Sequence, residues 1–419
     1  MSSTSEPSAT HLNMPQRTLF TDGRLEGEFV NILCDEHGRI AAITPAQDRH
    51  NNTHEVEVSL AGLLILPSFV EPHSHLDKAF LADRVDNPDG DLMGAIRGLE
   101  AIRHNITFDD TVERATRAAQ LMSRNGVTSV RTHADTTVAG GLTSVSALLE
   151  ARNRCKDFID IQVAMLLEWP VTGPDAPSRL SLAREAIACG LHVVGGCPHL
   201  DPNPKEAVEV LLTLALESGL PLDLHADENL RANSSDLEHL ADLMIERGIS
   251  HQVTASHCVS LSTRSLDDIR RIADKVAAAG ITVVALPQTN LFLQARDIHS
   301  LAPRGITPSQ LLRQAGVVVA AGADNLQDPF NLVGRADPLE IANLMMVAAH
   351  ETAEQAFEMI TTHSHVAVHG TPSSLRVGEA GNFIGIRATN LREAIAMGPP
   401  DRTVVYGGVV ITEPKRNIK

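Results

Sequence analysis

Aromatic side chains are scarce, with one Trp (Trp169), one Tyr and ten Phe in 419 residues. That is too few for the stacking platforms that hold single-stranded nucleic acid. No basic run of useful length interrupts a formal net charge of −17, which repels a phosphate backbone. Nucleic acid is therefore excluded as a partner, and small molecules remain. No apolar run approaches the roughly 18 residues of a membrane-crossing helix, so no membrane partner is expected. Cys34, Cys155, Cys189, Cys197 and Cys258 are odd in number, scattered and without CxxC spacing, which reads as reduced thiols in a cytoplasmic setting. The opening MSSTSEPSAT has neither a basic nor an apolar signal region; residues 1–14 read as a disordered N-terminus rather than an export signal.

Apolar content is ample at 43%, enough for one large core and a small satellite. Short buried strands are expected at 63–70, 127–131, 159–167, 192–195, 220–224, 252–256, 281–286 and 317–321. Helical segments fall between most of them, at 110–125, 177–189, 204–218, 235–247, 264–279 and 308–314. Several end in Gly, as at Gly190, Gly219, Gly248, Gly280 and Gly316, the residue that tolerates a left-handed C-terminal cap. Eight strands alternating with helices over about 300 residues predict an α/β fold, a (β/α)8 barrel in which functional residues sit at strand C-termini.

The chemistry-bearing residues fall at those termini. His73 and His75 follow the first apolar run, one residue apart, and in extended backbone both point to one side. His225 and Glu228 lie in LHADE, His257 in TASH, Asp324 in GADN. Imidazoles and a carboxylate suit Zn²⁺ or Fe²⁺. Taken singly, each has a bland reading: His225 as a satisfied core histidine, Glu228 as an acid at a helix start, Asp324 as a turn residue.

With strands and ligands placed together, the chain resembles the amidohydrolase superfamily, and within it the cytosine deaminase branch. The resemblance rests on PSFVEPHSHLDKAF, VRTHAD, VVGGCPHLDP, LDLHADE, VTASH, LPQTNLFLQ and GADNLQDPF, in that order along nearly the whole chain. It implies that His73, His75, His225 and Asp324 bind one divalent metal ion, Zn²⁺ or Fe²⁺. It also implies that Glu228 and His257 form the acid/base pair beside the bound water, with Asp324 helping to orient it. Many relatives bridge two metals through a carboxylated lysine on the fourth strand; VVGGCPH has none, so one metal is expected. The implied enzyme is a hydrolytic deaminase of a small amino-substituted heterocycle, cytosine-like, isocytosine-like or aminotriazine, expected to be a homo-oligomer. Ring-opening of a cyclic amide and a non-catalytic barrel are the alternatives.

Four further residues are candidates for reading the substrate. Glu168 stands where the branch places a glutamine that pairs with a pyrimidine edge, and an ionised carboxylate only accepts hydrogen bonds. Asn325 replaces an aspartate common beside the eighth-strand ligand. Lys78 is either a reader of an oxo or carboxylate group or a solvated rim lysine; Trp169 is either a pocket wall or a core residue. His133 and Asp135 read as support around the ligands, and His199 as pocket lining or a structural cap. The resemblance further implies that residues 15–62 and 370–419 join in a small β-sandwich around a barrel at 63–369. Gly407-Gly408 supplies the hairpin turn near its end.

Overall fold

The computed structural model describes residues 17–48 and 56–412. The expected disordered start at 1–14 and residues 15–16, 49–55 and 413–419 of the expected flanks lie outside those residues. The N-terminal flank forms β1 (Thr18–Leu25), β2 (Glu28–Cys34), β3 (Ile40–Pro45), β4 (Val56–Ser59) and β5 (Leu64–Pro67). Glu26 and Gly27 both take positive φ between β1 and β2, as a two-residue turn between right-twisted strands requires.

The eight parallel barrel strands follow as β6 (Phe69–Ser74), β7 (Val127–Thr136), β8 (Asp160–Leu167), β9 (Val194–Gly196), β10 (Leu222–Ala226), β11 (Val253–His257), β12 (Thr282–Ala285) and β13 (Val319–Ala321). They pair in sequence order from β6 to β13. The ring closes where β6 meets the end of β13, through a parallel bridge between Ser74 and Asp324 and an Asp324 N–H donated to the His73 carbonyl at 3.1 Å. Closure thus falls on two expected ligand positions.

The helices are α1 (Leu92–Ile102), α2 (Phe108–Arg124), α3 (Thr143–Cys155), α4 (Ala176–Ala188), α5 (Pro204–Ser218), α6 (Asp236–Glu246), α7 (Leu266–Ala279), α8 (Pro287–Leu293), α9 (Ser309–Gln314), α10 (Pro338–Ala348), α11 (Ala353–Ile360), α12 (Thr362–His369) and α13 (Leu391–Met397). Local chemistry sets several ends. The Thr107 and Ser265 hydroxyls accept from Asp110 N and Asp268 N at the starts of α2 and α7, and Gly280 ends α7 in left-handed conformation. By contrast α3, absent from the sequence reading, has no side-chain cap. Its Val145, Leu148 and Ala151 are fully buried, so packing overrides the weak helix propensity of its Ser- and Thr-containing first turn.

Strands β14 (Phe383–Ile386), β15 (Arg402–Tyr406) and β16 (Val409–Thr412) complete the other sheet, in the order β16-β15-β14-β5-β1-β2-β3, with β4 also on β1. Ile40 at one side of that order shares a core with Phe383 and Val405 at the other, as in a sandwich built from both chain ends. One strand expectation is corrected here. The single strand expected at 63–70 is two strands: β5 pairs with β14 in the flank sheet, and β6 starts the barrel at Phe69. Pro67, which has no N–H to give a central ladder, stands at the break. Both strands are buried, so the apolar run hides the change of sheet.

Candidate active site

The chemistry-bearing side chains gather at one end of the barrel. His73 lies on β6 and His75 just past it; His225 and His257 end β10 and β11, and Asp324 follows β13. His73 Nε2 is 3.1 Å from His225 Nε2, which is 3.2 Å from His75 Nε2. Asp324 Oδ1 is 3.2 Å from His75 Nε2 and 3.7 Å from His73 Nε2. His257 and Asp324 have φ of 68° and 64°, a left-handed conformation costly for non-glycine residues. The His257 carbonyl, which accepts from Thr307 Oγ1 at 2.5 Å, and the Asp324 N–H on β6 hold those turns.

A hydrogen bond between two neutral imidazoles takes one Nε2 proton and one Nε2 lone pair, so three Nε2 atoms at such distances leave one unmatched. Both Asp324 oxygens are buried without a hydrogen-bond donor among the described residues, a costly state for a carboxylate. A divalent ion among these four groups relieves both problems, and the N₃O donor set fits Zn²⁺ or Fe²⁺. A deeper trio, His73, His133 and Asp223, is also close enough to share an ion. There, however, Asp223 already accepts from Arg131 Nη1 at 2.7 Å, a guanidinium that repels a cation.

Around the cluster, Glu228 Oε2 lies 3.6 Å from His257 Nε2 and 3.9 Å from His199 Nε2. Burial, and secondarily Asp324, push the Glu228 carboxyl well above its ordinary range, which favours its protonated form. Burial likewise holds His73, His133 and His225 well below the ordinary imidazole value, leaving them neutral. A cavity of about 700 Å³ opens onto His75, His225, Glu228, His257 and Asp324.

Comparison with known proteins bears on what this arrangement is. Residues 82–412 match the model of the Amidohydrolase family. The chain belongs to the amidohydrolase family. It is 30% identical over 404 residues to a pterin deaminase of Rhizobium rhizogenes, covering 94% of this chain and 90% of the relative. The structure of 5-methylcytosine deaminase from Klebsiella pneumoniae with 5-fluorocytosine superposes with a TM-score of 0.86 at 28% identity, over 95% of this chain and 98% of that one. N-isopropylammelide isopropylaminohydrolase from Burkholderia multivorans gives 0.81 at 25% identity, over 95% and 99%. The protein is a hydrolase of carbon–nitrogen bonds with the amidohydrolase barrel.

The structure of this amidohydrolase brings all six expected ligand and acid/base residues together; the four expected substrate readers all line the cavity but differ in how they do so. Trp169 is half-buried and forms wall rather than core. Lys78 is no solvated rim residue: it is 4% exposed, with Nζ 2.6 Å from Asp135 Oδ1 and 3.2 Å from Asp77 Oδ1. Glu168 Oε2 accepts from Val138 N at 2.8 Å and sits 3.4 Å from Arg179 Nε. Asn325 is held by Thr289 Oγ1 and by Asp328. Of the support residues, His133 stacks on His73 with ring centres 4.1 Å apart, Asp135 pairs with Lys78, and His199 Nδ1 donates to the His225 carbonyl at 2.9 Å.

Sequence reasoning missed Glu71, Asn290 and the Arg131–Asp223 pair. Glu71 is buried and accepts from His73 N at 3.2 Å and from Ala323 N at 3.0 and 3.1 Å, tying together the two strand ends that carry His73 and Asp324. Burial pushes its carboxyl up to about 8. Gly322 makes the room, since a Cβ there would lie 2.3 Å from Glu71 Oε1. A glutamate inside the run PSFVEPHSH was the available signal. Arg131 and Asp223 offered another, as charges two residues before His133 and His225 on the same strand face.

Proposed function

We propose that this amidohydrolase is a metal-dependent deaminase of a small amino-substituted N-heterocycle, with room for a fused two-ring base of pterin size as well as cytosine-like and aminotriazine rings. The observation that carries the reading is the buried Glu228 carboxyl, set 3.6 Å from His257 Nε2 beside the His₃Asp cluster. His73, His75, His225 and Asp324 would hold one divalent ion, Zn²⁺ or Fe²⁺. When bound, such an ion lowers the pKa of a water from about 15.7 to near 7, supplying hydroxide at neutral pH.

The remaining chemistry is the chain's own. Glu228 donates its proton to a ring nitrogen, which makes the amine-bearing carbon electrophilic; it then takes the proton of the new hydroxyl as the carbonyl forms, passes it to the departing amine, and is restored by the proton that His257 took up. His257 Nε2, buried without a hydrogen-bond partner among the described residues, takes the proton released as water adds to that carbon. Water and the ring amine are consumed, and the ring carbonyl and ammonia leave. A cavity of about 700 Å³ falls within the range that encloses drug-sized ligands, and the likeness to a pterin deaminase over most of both chains supports a ring larger than cytosine. Opening of a cyclic amide is the weaker reading: β9 presents Val194-Gly195-Gly196, and a Cβ on Gly195 would lie 2.5 Å from two backbone carbonyl oxygens, leaving no room there for a bridging lysine. The same reading includes a cytoplasmic setting, consistent with cysteines that are all unpaired, and self-association, to be checked by fractionation and light scattering.

The experiment is an ammonia-release screen with zinc- and iron-loaded protein across pterin, 5-methylcytosine, aminopurines and aminotriazines, with metal content measured in parallel. Turnover of at least one ring amine, abolished by chelation, is expected. Metal-loaded protein that releases no ammonia from any of them, or that instead opens a cyclic amide, would overturn the reading.

A further inference from the structure

The helix after the seventh barrel strand carries no residue assigned so far, yet its segment touches three that are. Within LPQTNLFLQ, Thr289 Oγ1 donates to Asn325 Oδ1 at 3.3 Å, and Gln294 Nε2 donates to the Glu228 carbonyl at 3.5 Å. Between them, Asn290 Oδ1 accepts from His257 Nδ1 at 3.1 Å. Asn290 and His257 are 0% and 1% exposed, so water has little access to compete for that bond. His257 Nε2 lies 3.6 Å from Glu228 Oε2 and has no hydrogen-bond partner among the described residues.

We propose that Asn290 is a positioning residue that fixes His257 in the tautomer protonated on Nδ1, leaving the Nε2 lone pair facing the reaction centre. A neutral imidazole carries one proton, and a carbonyl oxygen at Nδ1 demands that the proton sit there. The backbone of His257 is already set by its left-handed φ and by Thr307, so ring rotation and tautomer are what Asn290 adds. The opposite orientation of the Asn290 amide would donate from Nδ2 to Nδ1 and put the proton on Nε2, where it could accept nothing. The inference rests on His257 being the proton acceptor of the deaminase reading, but the tautomer itself is measurable without any substrate.

The test uses the full-length chain, zinc-loaded and labelled with ¹⁵N-histidine, with the His257 resonances assigned by their loss in His257→Gln. Long-range ¹H–¹⁵N spectra of the wild type should show a protonated Nδ1 and an unprotonated Nε2. Asn290→Asp keeps the acceptor and should keep that pattern, whereas Asn290→Leu should show both nitrogens at averaged shifts. On whichever ring amine the wild type turns over, Asn290→Leu should lower kcat about 10- to 100-fold, with KM changed less than about threefold, and Asn290→Asp should restore most of the rate. A wild type protonated on Nε2 overturns the proposal without any variant. So does Asn290→Leu with unchanged tautomer and kcat. If the leucine variant does not fold, the wild-type and aspartate spectra decide. A wild type with the expected tautomer but no turnover of any ring amine would sink the deaminase reading and leave the Asn290 assignment standing.

Discussion

Replacing Arg131 by Met should destabilise the barrel by about 3–5 kcal/mol, the cost of leaving one partner of a buried ion pair alone. Arg131 lies inside the barrel, fully buried. Its guanidinium donates to Asp223 Oδ2 at 2.7 Å, Thr254 Oγ1 at 3.1 Å, Gln162 Oε1 at 2.7 Å and the Ala367 and Val368 carbonyls at 2.7 and 3.2 Å. Those last two carbonyls close α12, so one side chain joins three barrel strands to a helix C-terminus, where a cation is favoured. Methionine fills much of the volume but strands the Asp223 carboxylate, which among the described residues keeps the Ser256 hydroxyl at 3.0 Å and the His133 ring at 3.7 Å. Against a typical total stability of about 5–15 kcal/mol the loss is large. Urea unfolding in chelator, followed by far-UV circular dichroism and by the fluorescence of Trp169, the only tryptophan, gives the number wherever the two transitions coincide. Adding Asp223→Leu to Arg131→Met should recover more than half of it, since neither charge then remains buried alone. A loss under about 1 kcal/mol for the single variant, or no recovery in the double, would refute the pairing argument.

His225→Ala should lower metal content and turnover together, whereas Glu228→Gln should keep the metal and lose about 10²–10⁴ in kcat, because an amide cannot shuttle the proton; both are read by elemental analysis and ammonia release. Metal loss in Glu228→Gln would make that residue a ligand instead. Glu168→Gln should shift kcat/KM ratios from donor-rich towards acceptor-bearing rings across an amine panel, with little change in stability, and unchanged ratios would mean that Glu168, already engaged by Val138 and Arg179, does not read the ring. At Glu238, partial burial works against ionisation, but Arg271 and Lys275 outweigh it and hold the carboxyl down from 4.5 to about 2. Its stabilisation is therefore complete above 4.5 and lost as pH falls through about 2. Glu238→Gln should cost about 1 kcal/mol at neutral pH, after allowing for solvent screening, and the gap from wild type should close in acid melts.

What the sequence by itself determined about this protein is the set of residues that meet at the C-terminal end of the barrel strands, because each closes a short apolar segment. In an alternating βα chain every such segment delivers its C-terminus to the same face. His73, His75, His225, Glu228, His257 and Asp324 were legible for that reason, with the motif order supplying the proposed roles. Only the tertiary structure decided which partner each side chain finds. Residue period reports burial, so the continuous apolar run at 63–70 could not reveal that β5 and β6 belong to different sheets. Lys78, read as exposed or ligand-binding, is buried and pairs with Asp135, 57 residues further along. Asn290 meets His257 across 33 residues, and Arg131 meets Asp223 across 92. Such pairings are set by barrel closure, which brings distant strands to neighbouring positions, and no local pattern of polarity encodes them.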